Sequence, residues 1–113
     1  MITVFHNPRC SKSRTAVEIL KKHNAGVKLI EYLKTPPTEN ELKAVLKKLK
    51  MGAEQILRKK EALFQKKFAG KKFSEAEWIR ILVKNPVLIE RPIAIKGNKA
   101  VIARPPETIE QLL

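Results

Sequence analysis

The stretch "ITVFHNPRCSKSRTAVEILKKHNAGVKLIEYL", residues 2–33, predicts the start of a parallel sheet. Its opening "ITVF" consists of β-branched and aromatic residues, and Asn7 and Pro8 end the strand that these residues favour. Apolar residues then recur at helical spacing over 11–23, and "VKLIEYL" at 27–33 indicates a second strand. This order is a β-α-β unit, the usual connection between two parallel strands.

Helical patterns dominate the middle of the chain. Thr38 and Glu41 form the sequence signature of a capping box, and the helix after it carries a regular apolar stripe at Leu42, Val45, Leu46 and Leu49. The segment of about 51–83 is helical again, with a second capping box at Ser74 and Glu77. We therefore expect a helical insertion there.

The pattern changes after residue 86. The segments "VLIERPIAI" (87–95) and "AVIAR" (100–104) predict two strands, joined by a tight turn in which Gly97 and Asn98 supply positive φ angles. The closing "ETIEQLL" predicts a helix with its apolar face formed by Ile109, Leu112 and Leu113.

The element order is thus β-α-β, a helix, a helical segment, a β-hairpin and a last helix. It predicts an α/β protein in which the β-α-β unit and the hairpin share one mixed sheet, the arrangement of thioredoxin-like folds. No linker is long enough to separate domains, so we expect residues 1–113 to form a single domain that contains the helical insertion.

Composition and charge indicate where the protein is found and which partners it can bind. No apolar run approaches the roughly 20 residues of a membrane span, and Met1 leads directly into a strand, so we expect a cytoplasmic protein without membrane contact. The net charge of +13 favours anionic partners. Nucleic acid is not expected, because aromatic residues are few and are not interleaved with the basic runs.

The only cysteine, Cys10, lies between the first strand and the first helix. Helix amides at such a position favour a thiolate over a thiol, and the nearby cations Arg9, Lys12 and Arg14 act in the same direction. His6 stands four residues upstream and could donate a hydrogen bond to the sulfur. The alternative is a cysteine that only fills space in the core. The polar, cationic turn favours the reactive cysteine.

Several kinds of cysteine site need further residues that this chain does not have at the required positions. Ser13 occupies the position of the second cysteine in a C-x-x-C motif, so the chain has no resolving thiol of its own. A C-x5-R phosphatase loop would need arginine where Ala16 stands. One cysteine and two distant histidines cannot form a metal site, and we expect none. Any redox cycle therefore needs a thiol from another molecule.

Three of the six arginines stand at predicted element ends: Arg58, Arg91 and Arg104. A guanidinium suits an oxyanion because its fork of donors matches tetrahedral oxygen geometry. The alternatives are a strand-end ion pair for Arg91 and Arg104 and a solvated helix face for Arg58. Arg91 also precedes Pro92, at the position where thioredoxin-like folds place a cis-proline.

Four separated segments resemble the glutaredoxin-coupled arsenate reductase family. They are "FHNPRCSKSR" (5–14), "ILRKKE" (56–61), "NPVLIERPI" (85–93) and "IARPPE" (102–107), and they occur in the family's order over nearly the whole chain. The resemblance implies a thioredoxin-like fold with a helical insertion, which agrees with the element order.

The resemblance also implies a role for each candidate residue. Cys10 matches the nucleophile, and His6 matches the histidine that favours its thiolate. The arginines that would hold the oxyanion are Arg58, Arg91 and Arg104. The supporting residues at the site are Ser13, Arg14 and Pro92, of which the last matches the cis-proline.

In this family the thiolate attacks arsenate, glutathione adds to the arsenic and glutaredoxin resolves the mixed species to release arsenite. The resemblance therefore implies arsenate or a similar oxyanion as substrate, glutathione as co-substrate, glutaredoxin as partner and no bound cofactor. The alternative is a non-enzymatic regulator like the Spx-type proteins, which share the fold and bind RNA polymerase. Their redox switch needs a C-x-x-C motif, which Ser13 interrupts.

Overall fold

The computed structural model describes the whole chain, Met1–Leu113. It contains two compact units, one formed by Met1–Thr35 with Arg91–Leu113 and the other by Pro36–Glu90. The second unit contains the expected helical insertion. The assignment of residues 1–113 to a single domain stays a prediction.

The first unit contains a four-stranded mixed sheet in the order β2-β1-β3-β4. Its strands are β1 (Ile2–Phe5), β2 (Val27–Ile30), β3 (Ile93–Lys96) and β4 (Lys99–Ile102). β1 runs parallel to β2 and antiparallel to β3, and β3 and β4 form an antiparallel hairpin. The predicted α/β arrangement, with a β-α-β unit and a hairpin in one sheet, is confirmed.

Helix α1 (Ser11–Lys22) connects β1 to β2 and buries the apolar stripe that the sequence predicts. Ala16 and Leu20 are fully buried in one cluster with Ile2 and Val4 of β1. After the helix, Asn24 adopts a φ of 56°, a left-handed conformation that asparagine tolerates better than most residues. The short turn that follows returns the chain to the sheet.

The hairpin places two later segments side by side. Ile93 pairs with Ile102, and beyond that pair the Ala103 amide donates a hydrogen bond of 2.9 Å to the Pro92 carbonyl. Gly97 has a φ of 59°, but Asn98 is not in the left-handed region, so the prediction of positive φ at Asn98 is wrong. A two-residue turn of type II′ needs positive φ only at its first central residue.

Several element ends differ from the sequence-based expectation. β2 stops at Ile30 rather than at residue 33, because the amides of Lys34 and Thr35 both bond to the Glu31 carbonyl and close a turn. The strand expected from residue 87 begins only at Ile93. Pro86–Leu88 is instead a short 3₁₀ helix, for which a proline in the first turn is well suited.

The closing helix is a 3₁₀ helix, Pro106–Leu112. Ile109 and Leu112 are buried in the first unit's core, as predicted, whereas Leu113 is exposed. The expected apolar face therefore ends one residue earlier than the pattern suggests.

The second unit is helical. Its α-helices are α2 (Glu39–Leu49), α3 (Ala62–Lys67) and α4 (Glu75–Lys84). Both predicted capping boxes form, with Thr38 and Ser74 as the N-cap residues. The expected helix near residue 53 is only a 3₁₀ helix, Ala53–Ile56, after which Leu57 pairs with Ile89 in an isolated β-bridge. No helix of the chain combines the length and apolar composition that crossing a membrane requires.

Candidate active site

Cys10 is the N-cap residue of α1, and its backbone is extended, with φ −94° and ψ 121°. The loop before it is held by short hydrogen bonds around Asn7. The Cys10 amide donates to the Asn7 carbonyl at 3.0 Å, and the Arg9 amide donates to the Asn7 side-chain oxygen at 3.0 Å. The Arg14 guanidinium donates to the Pro8 carbonyl at 2.8 Å and so ties the first turn of the helix to the loop. The thiol stays partly exposed.

The environment of Cys10 lowers the pKa of its thiol. Burial raises this pKa, but the Ser13 amide, the Arg91 guanidinium and the Lys12 amide together lower it by more. The two amides belong to the first turn of α1, where the N–H groups have no partner within the helix. The sequence predicted a helix N-terminus and nearby cations, and the structure adds Arg91 as the cation that reaches the sulfur.

Ser13 has a positive structural role besides being the missing second cysteine. Its side chain is completely buried. The hydroxyl oxygen accepts a hydrogen bond of 3.1 Å from the Asn7 amide and lies 2.6 Å from Nδ1 of His6. Ser13 therefore serves the sulfur through its amide and the loop through its hydroxyl.

His6 is buried, and the structure gives one of its two ring nitrogens a partner other than the sulfur. Its Nδ1 pairs with the Ser13 hydroxyl, and His6 is not among the groups that shift the pKa of Cys10. Burial lowers the pKa of His6, Glu31 raises it, and Arg14 and Lys21 lower it further, with a net downward shift. This downward shift of its pKa favours the neutral imidazole.

Arg91 connects the sulfur to the hairpin. Its guanidinium interacts electrostatically with the Cys10 thiol and with the Tyr32 hydroxyl. Burial lowers the pKa of Arg91, but Cys10 and Tyr32 raise it by more, so the guanidinium keeps its charge. The Arg91–Pro92 peptide bond is cis, as the resemblance implied for Pro92.

Arg104 lies at the same end of the hairpin as Arg91. Arg91 precedes the first residue of β3, Ile93, by two residues, and Arg104 follows the last residue of β4, Ile102, by two residues; Ile93 and Ile102 pair with each other. The Arg104–Pro105 bond is also cis, which the sequence analysis did not predict. Two of the three candidate arginines thus come to the end of the sheet that carries Cys10.

Arg58 belongs to the second unit and has partners there. Its guanidinium lies 3.0 Å from the Glu61 carboxylate and donates to the Val87 carbonyl at 3.3 Å. It stands outside the α-helices, so the solvated helix face considered for it is wrong. A role for Arg58 in oxyanion binding stays a prediction.

Tyr32 is a site residue that sequence reasoning missed. The pattern "VKLIEYL" placed it inside a strand, whereas it lies in the turn after β2 with its side chain fully buried. Its position beyond the carboxyl end of a parallel strand was the available signal, because the functional residues of such sheets gather there.

Two adjoining cavities border the loop before Cys10. They have volumes of about 400 Å³ and 250 Å³ and share His6, Glu31 and Lys34 in their walls. The smaller cavity is also lined by Pro8 and Arg9, which directly precede the cysteine. Charged side chains of both signs, from Arg9, Lys34 and Glu31, therefore line the space beside the loop.

Comparisons of the sequence and the structure with known proteins agree on one family. The model of the ArsC family matches residues 5–112. The chain is 39% identical to the uncharacterized protein YfgD of Escherichia coli, with 99% of this chain and 96% of that protein covered. It is 37% identical to an arsenate reductase of Neisseria meningitidis serogroup A, covering 99% and 97%. The structure of an arsenate reductase from Vibrio cholerae matches with a TM-score of 0.94 at 32% identity, covering 99% of this chain and 97% of the other.

Proposed function

The chain belongs to the ArsC family, and from that premise we propose that it reduces arsenate to arsenite through a Cys10 thiolate. The observation that carries the proposal is the environment of Cys10. Helix amides and the Arg91 guanidinium lower the pKa of a partly exposed thiol, and a second arginine, Arg104, follows β4 at the end of the sheet where Arg91 precedes β3. A thiolate flanked by guanidinium groups suits attack on an oxyanion, because the same charges that stabilise the nucleophile also hold the substrate.

The first step is the formation of a sulfur–arsenic bond. The Cys10 thiolate attacks the arsenic, and one arsenate oxygen leaves as water after it is protonated. The arsenic remains As(V). Arg91 and Arg104 would bind the remaining oxygens, where charge-assisted hydrogen bonds offset the repulsion between two anions.

The remaining thiols come from outside, because the chain has a single cysteine. Glutathione displaces a second oxygen as water and joins the arsenic. A glutaredoxin thiolate then attacks the glutathione sulfur, the sulfur–arsenic bond breaks, and its electron pair stays on the arsenic, which becomes As(III). Glutathione and glutaredoxin leave as a mixed disulfide, and hydrolysis of the Cys10–arsenic bond releases arsenite. A reaction that uses these thiols fits the reducing cytoplasm, which we include in the proposal.

The cavities beside the loop support glutathione as the second thiol. Glutathione carries two carboxylates and an ammonium group, and the walls present Arg9, Lys34 and Glu31. His6 supports the reaction through its contact with Ser13, the residue whose amide acts on the sulfur. Arg58 is part of the proposal on the resemblance alone, as the third arginine for the oxyanion.

A coupled assay tests the proposed function. Purified protein is incubated with arsenate, glutathione, glutaredoxin, glutathione reductase and NADPH, and the absorbance of NADPH is followed. We expect arsenate-dependent NADPH consumption that Cys10→Ser abolishes and that stops when glutaredoxin is omitted. Folded protein that consumes no NADPH would overturn the arsenate assignment, and binding to RNA polymerase would then be the next measurement.

A further inference from the structure

Asn7 makes hydrogen bonds both within the loop that precedes Cys10 and to the helix that follows it. It is buried, with 9% of its surface exposed. Its side-chain oxygen accepts a hydrogen bond of 3.0 Å from the Arg9 amide, and its carbonyl accepts one of 3.0 Å from the Cys10 amide. Its own amide donates to the Ser13 hydroxyl at 3.1 Å. Asn7 thus connects the loop to the first turn of α1.

Two of these bonds form turns that begin at the same residue. The bond from the Cys10 amide to the Asn7 carbonyl joins residues i and i+3 and closes a β-turn, with Pro8 at the position that proline favours. The bond from the Arg9 amide to the Asn7 side chain is an Asx turn, in which the side-chain oxygen binds the amide two residues further on. The proline ring fixes one backbone angle of the loop, and the Asx turn restrains the residue after it.

The β-turn determines how the chain enters α1. The backbone of Cys10 is bonded on both sides, because its amide donates to Asn7 and its carbonyl accepts the Arg14 amide at 3.0 Å. Between these bonds Cys10 has the extended conformation of an N-cap residue. A side chain in that position is placed to accept hydrogen bonds from the free amides of the first helical turn. A displaced loop would therefore move the sulfur relative to those amides.

We propose that the side chain of Asn7 is a positioning residue for the nucleophile, and that it holds the loop so that the Cys10 sulfur stays at the amino end of α1. The proposal rests on the proposed function for its kinetic consequence, whereas its effect on the thiol does not depend on the substrate. The reaction described above gives Asn7 no role, and the sequence identified this residue only as the end of a strand.

The residue type suits this role. Aspartate would accept the same hydrogen bond from the Arg9 amide, but its negative charge three residues from Cys10 would oppose formation of the thiolate. A serine hydroxyl forms the equivalent turn more weakly. Alanine offers no acceptor. Asparagine therefore supplies a strong acceptor to the loop without adding a charge that opposes the thiolate or the oxyanion.

The direct test is Asn7→Ala, which removes the acceptor of the Asx turn and keeps the backbone amide and carbonyl of residue 7. We expect the pKa of the Cys10 thiol, measured from thiolate absorbance, to rise. We also expect kcat/KM for arsenate to fall about three- to tenfold, the range that the loss of one hydrogen bond predicts. Part of this fall should persist at a pH where both enzymes are fully ionised at Cys10, because a misplaced thiolate attacks more slowly.

Asn7→Ser provides a graded second variant. Its hydroxyl restores a weaker acceptor, so its thiol pKa and kcat/KM should lie between those of wild type and Asn7→Ala. Wild-type values of both quantities in the two variants would overturn the proposal. A loss in Asn7→Ser as large as in Asn7→Ala would contradict the role given to the side-chain acceptor.

A matched control separates positioning from loss of stability. Asn85 also precedes a proline, and its side-chain amide donates a hydrogen bond of 2.9 Å to the Ile81 carbonyl. It belongs to the helical unit, whereas Cys10 belongs to the unit that contains the sheet. Asn85→Ala should lower the free energy of unfolding without moving the thiol pKa. Equal shifts of the thiol pKa in Asn85→Ala and Asn7→Ala would overturn the proposal, because they would follow from lost stability alone.

Amide hydrogen exchange tests the loop itself without any substrate. The amide protons of Arg9 and Cys10 should exchange faster in Asn7→Ala than in wild type and should be unaffected in Asn85→Ala. If exchange and thiol pKa change as expected but no arsenate is reduced, the positioning role stands and the proposed function fails. If arsenate is reduced while exchange and thiol pKa in Asn7→Ala match wild type, the proposed function stands and the positioning role is overturned.

Discussion

At the scale of single residues, different groups in the first turn of α1 act on the sulfur and on the loop before it. Cys10 supplies the sulfur, and the amides of Ser13 and Lys12 together with Arg91 lower its pKa. The Ser13 hydroxyl is engaged elsewhere, with His6 and the Asn7 amide. The Ser13 amide thus acts on the sulfur, whereas its hydroxyl holds the loop. A substitution that removes only the hydroxyl can distinguish the two effects.

Ser13→Ala should destabilise the fold while leaving the thiol activated. The substitution leaves the buried Asn7 amide without its acceptor, which costs about 1–3 kcal/mol of unfolding free energy, but it keeps the Ser13 N–H group. We expect a lower urea midpoint and a Cys10 pKa still below the roughly 8.5 of a free cysteine. Ser11→Ala, an exposed position at the start of α1, is the control and should change neither value. A return of the thiol pKa to the free value would mean that the hydroxyl, not the amide, activates the sulfur.

His6 should make stability depend on pH. Its pKa is lower in the folded state than its usual 6.5, mainly because of burial. The unfolded chain therefore binds more protons at mildly acidic pH, and stability falls as the pH drops below about 6.5 towards the folded-state pKa. We expect His6→Asn to lose less unfolding free energy than wild type between pH 7.5 and pH 5, in urea titrations. Ser11→Ala, an exposed position that does not titrate, is the control and should behave like wild type. If His6→Asn lost as much unfolding free energy as wild type over this pH range, the assignment to His6 would be refuted.

At the scale of elements, features set by local sequence could be predicted, whereas those set by contacts between distant segments could not. The β-α-β unit follows from residue types and periodicity, and both capping boxes follow from the pairs Thr38–Glu41 and Ser74–Glu77. The expected thioredoxin-like α/β fold is confirmed by the sheet and by the match to the Vibrio cholerae structure.

The errors occur where tertiary hydrogen bonds override an apolar run. β2 ends early because a turn forms on the Glu31 carbonyl, which places Tyr32 outside the strand. The apolar residues before Arg91 pair with residues near Leu57 instead of extending β3. The sequence identified Cys10 and Arg91 separately, but their contact depends on strand register between segments that are distant along the chain.

The capping box of α2 gives a prediction at this scale. Thr38→Ala removes the hydroxyl that accepts a hydrogen bond of 3.1 Å from the Glu41 amide. Loss of such a cap lowers the unfolding free energy by about 1 kcal/mol. Unfolding followed by the fluorescence of Trp78, the only tryptophan, reports on the helical unit that contains α2. We expect a reduced unfolding free energy for Thr38→Ala and no change for Thr35→Ala, whose side chain is exposed. Equal effects of the two substitutions would show that the cap adds nothing.

At the scale of the whole molecule, the charge of the chain agrees with its proposed substrate. A net charge of +13 attracts small anions, and salt weakens this attraction at long range. Arg91 and Arg104 concentrate positive charge at one end of the sheet. The family assignment extends over residues 5–112 and therefore includes both compact units. The candidate site described above lies within the unit that contains the sheet.

The most direct test of the central claim is the pH dependence of kcat/KM for arsenate. This quantity reports the ionisation of the free enzyme, and the account predicts an acidic limb at the pKa of the Cys10 thiol measured by thiolate absorbance. In Arg91→Ala both values should move upward together, because the guanidinium no longer stabilises the thiolate. An acidic limb that stays in place while the thiol pKa rises would contradict the claim that an activated Cys10 thiolate begins the reaction.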